Sequence, residues 1–263
     1  MTAADLATGW GALREQGPLV QCLTNIVAAS FTANVLLAAG AAPAMVDNVH
    51  EARAFAAAAS GVLLNLGTPY ADTTAAMREA VAGAGESGTP WVLDPVGAGG
   101  LPWRTGVASE LLGLAAPAVV RGNPSEVLGL AGGAGGRGVD TVDSTTDALP
   151  TAQQLARDHD CVVAVSGEVD YLTDGERVLR LANGHVWMTR VTGVGCALGA
   201  LMAGCVAVTA DVLTGAGAAA GALTIAAERA AAVTQGPGTF AARLLDELFA
   251  LQPEQVEKQV RIW

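Results

Sequence analysis

Small, amide-bearing or charged residues follow almost every apolar run of this 263-residue chain. Ligands of an open α/β sheet bind beyond the carboxyl ends of its strands, so such residues are candidates for one shared site. They are Asn25, Met45, Asn65-Leu66-Gly67-Thr68, Asp94-Pro95-Val96-Gly97, Arg121-Gly122-Asn123, Ser166-Gly167-Glu168 and Thr192-Gly193-Val194-Gly195-Cys196.

The segment Thr192–Gly199 is the strongest candidate for anion binding. Its glycines at 193 and 195 open a long uncharged stretch. Glycines allow successive backbone N–H groups to converge, and a helix N-terminus adds its dipole, so a phosphate needs no lysine there. The alternative interpretation is close packing of a helix against a strand.

Carboxylates and an arginine follow the two middle runs. Asp94 either caps a turn or binds a metal ion. In Arg121-Gly122-Asn123-Pro124-Ser125-Glu126, Asn123 and Glu126 fit the N-cap and N3 positions of a helix. With Asp94 they could instead hold a hydrated Mg²⁺, while Arg121 suits a phosphate clamp.

Cys196 differs from the other cysteines because it follows the Gly-x-Gly turn. A helix N-terminus lowers the pKa of a thiol there, and neighbouring phosphates raise it again. Cys22, Cys161 and Cys205 lie in apolar runs and are expected in the core. The three histidines sit in polar or turn contexts and are predicted to have no role in the site.

Strands alternating with helices must position these residues. The predicted strands are Pro18–Thr24, Ala42–Val46, Gly61–Gly67, Trp91–Asp94, Ala118–Arg121 and Cys161–Ser166. The predicted helices between them are Phe31–Ala39, Glu51–Ala59, Thr73–Gly85 and Thr145–Asp158. This order predicts a mostly parallel, doubly wound α/β sheet.

The last third of the chain follows another pattern. Asp174-Gly175 predicts a β-hairpin, and a second turn at Asn183-Gly184 leads into Val186–Val191, so this end of the sheet is expected to be antiparallel. Residues 196–250 are Ala-rich and predicted to be helical. The tract Gly132-Gly133-Ala134-Gly135-Gly136 is predicted to be a loop. We find no linker or repeat, and expect one domain over 1–263.

Composition excludes several classes of function. The only lysine is Lys258, in a polar tail, which excludes a Walker A loop, a protein kinase and a pyridoxal Schiff base. The formal charge of −11 argues against nucleic acid or an anionic membrane as a partner. Cysteine pairs with zinc spacing are absent, and reduced cytoplasmic thiols are expected.

Two charge-free stretches, 16–46 and 191–210, are long enough to span a membrane. The first contains prolines and asparagines and the second is rich in glycine, so we expect buried helices of a soluble protein. The amino terminus lacks the basic start of a signal peptide.

These residues, in this order, resemble the hydroxyethylthiazole kinases, members of the ribokinase-like superfamily. The resemblance covers about residues 18–246, and its discriminating pair is Asp94-Pro95-Val96-Gly97 with Thr192-Gly193-Val194-Gly195-Cys196. Other matching segments are Cys22-Leu23-Thr24-Asn25, Phe31-Thr32-Ala33-Asn34, Leu64–Thr68, Gly138-Val139-Asp140, Ser166–Asp170 and Gly236-Pro237-Gly238-Thr239-Phe240.

The resemblance implies ATP-dependent phosphorylation of the alcohol of 4-methyl-5-(2-hydroxyethyl)thiazole. It places Asn25, Met45, Gly67 and Gly193 at the thiazole, Arg121, Ser166, Thr192 and Gly195 at ATP, and Asp94 and Glu126 at Mg²⁺. Cys196 matches the position of a catalytic Asp in most superfamily members. A homotrimer with active sites at subunit interfaces is also implied. Val194 and Ser166 replace usual threonines, and Asp47 adds an unusual charge near Met45.

Two alternatives stay open at this point. One is a kinase of the same fold that acts on hydroxymethylpyrimidine or another small alcohol, although Cys196 argues against it. The other is a nucleotide-binding sensor without turnover, although the retention of Asp94, Arg121, Glu126 and Gly195 argues against that loss.

Overall fold

The computed structural model describes residues 1–132 and 144–263. The strands are β1 (Leu19–Leu23), β2 (Ala42–Ala44), β3 (Gly61–Asn65), β4 (Trp91–Asp94), β5 (Val119–Gly122), β6 (Val162–Val165), β7 (Asp170–Thr173) and β8 (Val178–Leu181). The helices are α1 (Ala3–Gln16), α2 (Ala29–Ala39), α3 (Ala52–Ala58), α4 (Ala71–Ser87), α5 (Pro102–Leu114), α6 (Pro124–Leu130), α7 (Thr145–His159), α8 (Val194–Val206), α9 (Val212–Val233), α10 (Pro237–Ala250) and α11 (Pro253–Gln259). Most of the predicted glycine tract and Gly138-Val139-Asp140 lie outside the described residues.

The strands form one sheet in the order β2-β1-β3-β4-β5-β6-β7-β8. Pairing is parallel from β2 to β6 and antiparallel from β6 to β8. The predicted α/β sheet with an antiparallel end is therefore confirmed. At the carboxyl edge, Asn65 of β3 lies in register with Asp94 of β4.

Helices cover both faces of the sheet. Alternate strand residues point to opposite faces, so Leu63 packs into one hydrophobic core cluster while Val62 and Leu64 pack into the other. The first cluster lies under α1, α2, α8, α9 and α10, and the second under α3, α4, α5 and α7. Strands buried on both faces explain the continuously apolar runs in the sequence.

The carboxyl-terminal helices pack closely because their residues are small. α9 is buried along most of its length, and most of its buried residues are alanines and glycines. This is expected of a helix that is apolar all round. A Cβ on Gly217 would lie 2.6 Å from Leu179 Cδ2, so a larger residue there would press against β8. Over residues 1–132 and 144–263, no helix is both long and apolar enough to cross a membrane.

One detail differs from the sequence predictions. Val186–Val191 adds no strand, because Val186–Arg190 forms a 3₁₀ helix whose first turn is capped by His185 Nδ1, 3.2 Å from Trp187 N. Trp187 then packs edge-on against Phe240 of α10. The charge-free stretch 16–46 contains β1, α2 and β2, which is the predicted order of strand, helix and strand.

Gly83 of α4 lies where α4 and α3 approach each other closely. A Cβ on Gly83 would lie 2.2 Å from the backbone oxygen of Arg53 in α3, so the helices would have to separate. We expect Gly83→Ala to lower the free energy of unfolding by about 1–3 kcal/mol. The matched change Gly106→Ala in α5 meets no atom within 4 Å and should raise it by about 0.5–1 kcal/mol.

Urea denaturation of both variants measures these changes. Equal effects of the two substitutions would show that the close packing of α3 and α4 does not constrain Gly83.

Candidate active site

Five polar side chains form a hydrogen-bonded row along the carboxyl edge of the sheet. The polar row consists of Asn25, Asn65, Asp94, Arg121 and Ser166, which lie at the ends of β1, β3, β4, β5 and β6. Asn25 Nδ2 donates to Asn65 Oδ1 at 2.8 Å, and Asn65 Nδ2 donates to Asp94 Oδ2 at 2.7 Å. Arg121 Nη1 lies 3.5 Å from Asp94 Oδ2, and its Nη2 donates to Ser166 Oγ at 3.1 Å. Five strand ends thus share one polar site.

The charge pair in the middle of the row is buried. Asp94 is fully buried, and the Arg121 side chain is 12% exposed. Burial raises the pKa of Asp94 to about 7, against the lowering effect of the Arg121 charge. Burial would lower the pKa of Arg121, but the charges of Asp94 and Glu126 outweigh it, so that pKa is raised. Asp94 Oδ1 is buried and has no hydrogen-bond partner among the described residues.

Glu126 connects the start of α6 to the loop after β4. Asn123 Oδ1 accepts from Glu126 N at 2.9 Å, and Glu126 Oε2 accepts from Asn123 N at 2.9 Å. These two bonds are the predicted capping arrangement. Glu126 Oε1 also accepts from Gly97 N at 3.1 Å. Glu126 therefore fixes the loop after Asp94, and its carboxylate already accepts two backbone bonds.

The Gly-x-Gly turn forms the start of α8, as predicted. Gly193 is its N-cap with φ +87°, a conformation that favours glycine. A Cβ on Gly193 would lie 3.1 Å from Ala28 Cβ, and a Cβ on Gly195 would lie 3.0 Å from the Arg121 guanidinium. The first backbone N–H groups of a helix lack intrahelical acceptors, so this turn brings free donors beside the arginine. Both interpretations of the turn, close packing and donors available for an anion, thus fit the geometry.

Cys196 lies in the first turn of α8 and contacts the other end of the row. Asn25 Nδ2 donates to its Sγ at 3.2 Å. Burial and the Asp94 charge raise the pKa of this thiol above its ordinary value, although Arg121 and the bond from Asn25 act to lower it. The sequence analysis expected a pKa lowered by the helix start, whereas burial and the Asp94 charge make the net direction upward.

Other predicted site residues surround the row or lie away from it. Gly67 N donates to Asn65 Oδ1 at 2.9 Å, and a Cβ on Gly67 would lie 2.6 Å from Asn25 Nδ2. Thr192 is exposed beside Gly193. Met45 follows the edge strand β2, is 40% exposed and lies outside the hydrogen-bonded row.

The other three cysteines lie in the core, outside the polar row. Cys22, Cys161 and Cys205 are buried, as predicted. Burial raises the pKa of Cys22 and of Cys161 to about 12. Among the residues described, no group of three or more His, Cys, Asp or Glu side chains could hold a metal ion.

Two buried residues have contacts that the sequence analysis did not assign. Asn65 links the two halves of the row, and Asp170 closes the loop after β6, where its Oδ1 accepts from Gly167 N at 2.8 Å. Each lies at a strand terminus within a segment that the sequence analysis names, but one sequence does not show which strand ends lie side by side. Burial raises the pKa of Asp170 to about 6, although the Gly167 bond and the Arg121 charge act to lower it.

Comparisons with known proteins agree on one family. The family model described as hydroxyethylthiazole kinase family matches residues 11–254. A hydroxyethylthiazole kinase of Cutibacterium acnes is 57% identical over 93% of this chain and 88% of that protein. The solved hydroxyethylthiazole kinase of Pyrococcus horikoshii OT3 has a TM-score of 0.91 at 35% identity and covers 98% of both chains. A ribokinase-like superfamily protein of Enterococcus faecalis V583 has a TM-score of 0.66 at 12% identity over 96% of both chains, so it supports the fold alone.

The raised pKa of Asp170 predicts a pH-dependent stability. The folded pKa of about 6 exceeds the ordinary 3.8, so the folded chain binds this proton more tightly. The stability due to protonated Asp170 is therefore present at about pH 4 and lost as the pH rises through about 6. Asp170→Asn keeps an acceptor for Gly167 N and removes the titration.

We expect the variant to become more stable relative to the parent as the pH rises from about 4 to 7. Urea denaturation at four pH values measures the difference. A difference that stays constant over this range would contradict the buried carboxyl group as its source.

Proposed function

The chain belongs to the hydroxyethylthiazole kinase family, and we propose that its polar row carries out the transfer of a phosphoryl group from ATP to the primary alcohol of 4-methyl-5-(2-hydroxyethyl)thiazole. The observation that carries this proposal is the meeting of three groups at one sheet edge. These groups are the buried Asp94–Arg121 pair, the glycine turn of α8 and the thiol of Cys196.

The ATP phosphates are proposed to lie at the Arg121 end of the row. Arg121 and Ser166 are joined by a hydrogen bond, and Gly195 lies against the guanidinium with no Cβ between them. Thr192 is exposed immediately before the turn. An arginine and the backbone donors of a helix start supply the positive potential that phosphoryl transfer requires. This explains how a chain with one distant lysine can be a kinase.

The thiazole alcohol is proposed to lie at the Asn25 end. Asn25 and Gly67 are in contact, and Gly193 and Cys196 lie in the turn that faces them. Met45 is the remaining member of this substrate set, and its exposure leaves it free to contact a ligand. The start of α8 adjoins both ends of the row, since Cys196 contacts Asn25 and Gly195 lies against Arg121, so we place the alcohol oxygen and the γ-phosphate side by side at this turn.

Mg²⁺ fits this site as a hydrated ion bound mainly to phosphate. Asp94 Oδ1 is a buried oxygen with no hydrogen-bond partner in the described ranges 1–132 and 144–263, and a cation or its water could use it. Glu126 accepts two backbone N–H groups, and each carboxylate oxygen retains a further lone pair for a metal-bound water. Mg²⁺ usually takes one or two carboxylates with waters and phosphates. When bound, the ion would neutralise developing charge on the phosphates.

Cys196 is proposed to accept the proton of the alcohol. As the substrate oxygen bonds to the γ-phosphorus, the bond to the bridging oxygen of ADP breaks, and the hydroxyl proton passes to the Cys196 thiolate. A raised pKa makes the thiolate scarce at neutral pH but more basic once formed. The hydrogen bond from Asn25 holds the sulfur in place. Arg121 stabilises the charge on the transferred group.

Substrate choice is tested by ATP consumption. Purified protein is assayed with the thiazole alcohol, with hydroxymethylpyrimidine and with neither, in the presence of Mg²⁺. We expect ATP to be consumed only in the mixture that contains the thiazole alcohol. Turnover of the pyrimidine alone, or none with either alcohol, would overturn the proposed function.

The role of Cys196 predicts an order of activities. We expect Cys196→Ala to lower kcat by about 10²–10⁴-fold with little change in KM for ATP, because the proton acceptor is lost. Cys196→Asp should retain activity or exceed the parent, because a carboxyl group ordinarily ionises near pH 4, so that even a pKa raised by burial leaves an ionised base at neutral pH.

Initial rates of both variants at pH 7 make the comparison, with Cys205→Ala in the core of α8 as a control for packing. If Cys196 only packs the helix start, the order is reversed, and Ala is harmless while Asp is damaging.

A homotrimer with active sites between subunits, located in the cytoplasm, completes the proposal. Ile26 and Val27 directly follow Asn25 and are 70% and 60% exposed. Large apolar side chains exposed beside a site are typical of association surfaces. The four cysteines are free thiols, which suits a reducing compartment.

We expect light scattering to give a mass near three chains. Ile26→Glu should lower both the mass and kcat, because it places a charge in the apolar contact. Leu114→Glu, which alters an exposed leucine at the end of α5, should change neither. A fully active monomer would contradict the shared site.

A further inference from the structure

Asn65 is the central amide of the polar row, and every polar atom of its side chain is used. It is the last residue of β3 and is 1% exposed. Its Oδ1 accepts from Asn25 Nδ2 at 2.8 Å and from Gly67 N at 2.9 Å, while its Nδ2 donates to Asp94 Oδ2 at 2.7 Å. A buried amide held by three bonds cannot rotate without leaving donors unpaired.

The orientation of this amide is fixed from both sides. Gly67 N is a backbone donor, so the atom of Asn65 that it meets must be the oxygen. On the other side, Arg121 Nη1 lies 3.5 Å from Asp94 Oδ2, and a guanidinium only donates, so that oxygen is an acceptor. The Asn65 NH₂ group therefore faces Asp94, and its oxygen faces Asn25.

The orientation of Asn25 is set by Ala28 on one side and by Asn65 on the other. Asn25 Oδ1 accepts from Ala28 N at 2.9 Å, which leaves its NH₂ group to face the row. One of the two N–H groups is directed at Asn65 Oδ1 and the other at Cys196 Sγ, 3.2 Å away. Gly67 packs against the Asn25 side chain without a Cβ and limits its movement.

We propose that Asn65 is a positioning residue that keeps the NH₂ group of Asn25 directed at Cys196 Sγ. Its role in catalysis rests on the function proposed above, whereas the orientation of Asn25 is a property of the folded chain. A weak side-chain hydrogen bond from Asn65 also acts to lower the pKa of Cys196, but the short bonds of Asn65 go to Asn25, Gly67 and Asp94. Because Asn65 donates to Asp94, its oxygen is left to accept from Asn25. Asn25 in turn donates to the sulfur that takes the proton.

The test compares two buried asparagines. Asn183 is 4% exposed and also makes three hydrogen bonds, to Glu228 Oε2 at 3.1 Å, the Gln259 oxygen at 3.0 Å and Arg261 N at 2.7 Å. Asn65→Leu and Asn183→Leu thus each remove three hydrogen bonds from a buried side chain. Asn65→Ala and Asn183→Ala replace this pair if either leucine variant fails to fold.

We expect the Asn65 variant to lower kcat per folded molecule by about 10- to 100-fold, the effect of leaving one buried donor misdirected. KM for ATP should change less than twofold, because Arg121 and Ser166 keep their bond. The Asn183 variant should lose thermal stability with unchanged kcat. Adding Asn65→Ala to Asn25→Ala should lower kcat no further than Asn25→Ala alone.

A crystal structure of the Asn65 variant gives a readout that does not need activity. We expect Asn25 Nδ2 to move beyond hydrogen-bond distance of Cys196 Sγ. An unmoved Asn25, or equal kcat losses in the Asn65 and Asn183 variants, would overturn the positioning role. An inactive wild-type chain would instead refute the proposed function, and the crystal structure would still decide the orientation of Asn25.

Discussion

The buried pair of Asp94 and Arg121 is the interaction on which the site depends. Two charges removed from water are tolerated only when hydrogen bonds satisfy their remaining atoms. Asn65 and Ser166 supply part of those bonds on either side of the pair, whereas Asp94 Oδ1 and Arg121 Nε have no partner among the described residues. Because each partner ends a different strand, the pair also requires the sheet order to be as observed. The site and the middle of the sheet therefore depend on each other.

Glycines lie where the backbone of α8 or of the loop after β3 approaches the polar row. Gly195 passes the Arg121 guanidinium, Gly67 passes Asn25, and a Cβ on Gly199 would lie 3.0 Å from Leu63 Cδ1 and 3.7 Å from Asp94 Oδ2. The side chains of the row can therefore be large and polar only because the facing backbone is bare. Substrates would meet mainly backbone donors and fixed amides, which lose little conformational entropy on binding.

Much of this arrangement could be predicted from the sequence, because apolar runs, turn residues and helix caps depend on interactions between residues close together in the chain. Apolar runs ending in polar residues predicted the parallel strands, and Asn123-Pro124 with Glu126 predicted the start of α6. The raised pKa of Cys196 could not be predicted, since it depends on burial and on Asp94 more than 100 residues away. Asn65 was among the candidates, but its central place in the row and the contacts of Asp170 could not be predicted, because they too depend on distant parts of the chain. Val186–Arg190 forms a 3₁₀ helix because tertiary packing of Trp187 on Phe240 outweighs the extended preference of its residues.

The burial of α9 by alanine and glycine has a consequence for how this chain can evolve. A core of large side chains mostly suffers from substitutions that leave holes, and neighbours can partly relax into them. A core of the smallest side chains suffers instead from added atoms, which rigid backbone on both sides cannot accommodate. Most single-nucleotide changes from alanine or glycine codons enlarge the side chain. Sequence drift in this helix should therefore be confined to exchanges among the smallest residues, whereas the surface helices remain free to diverge.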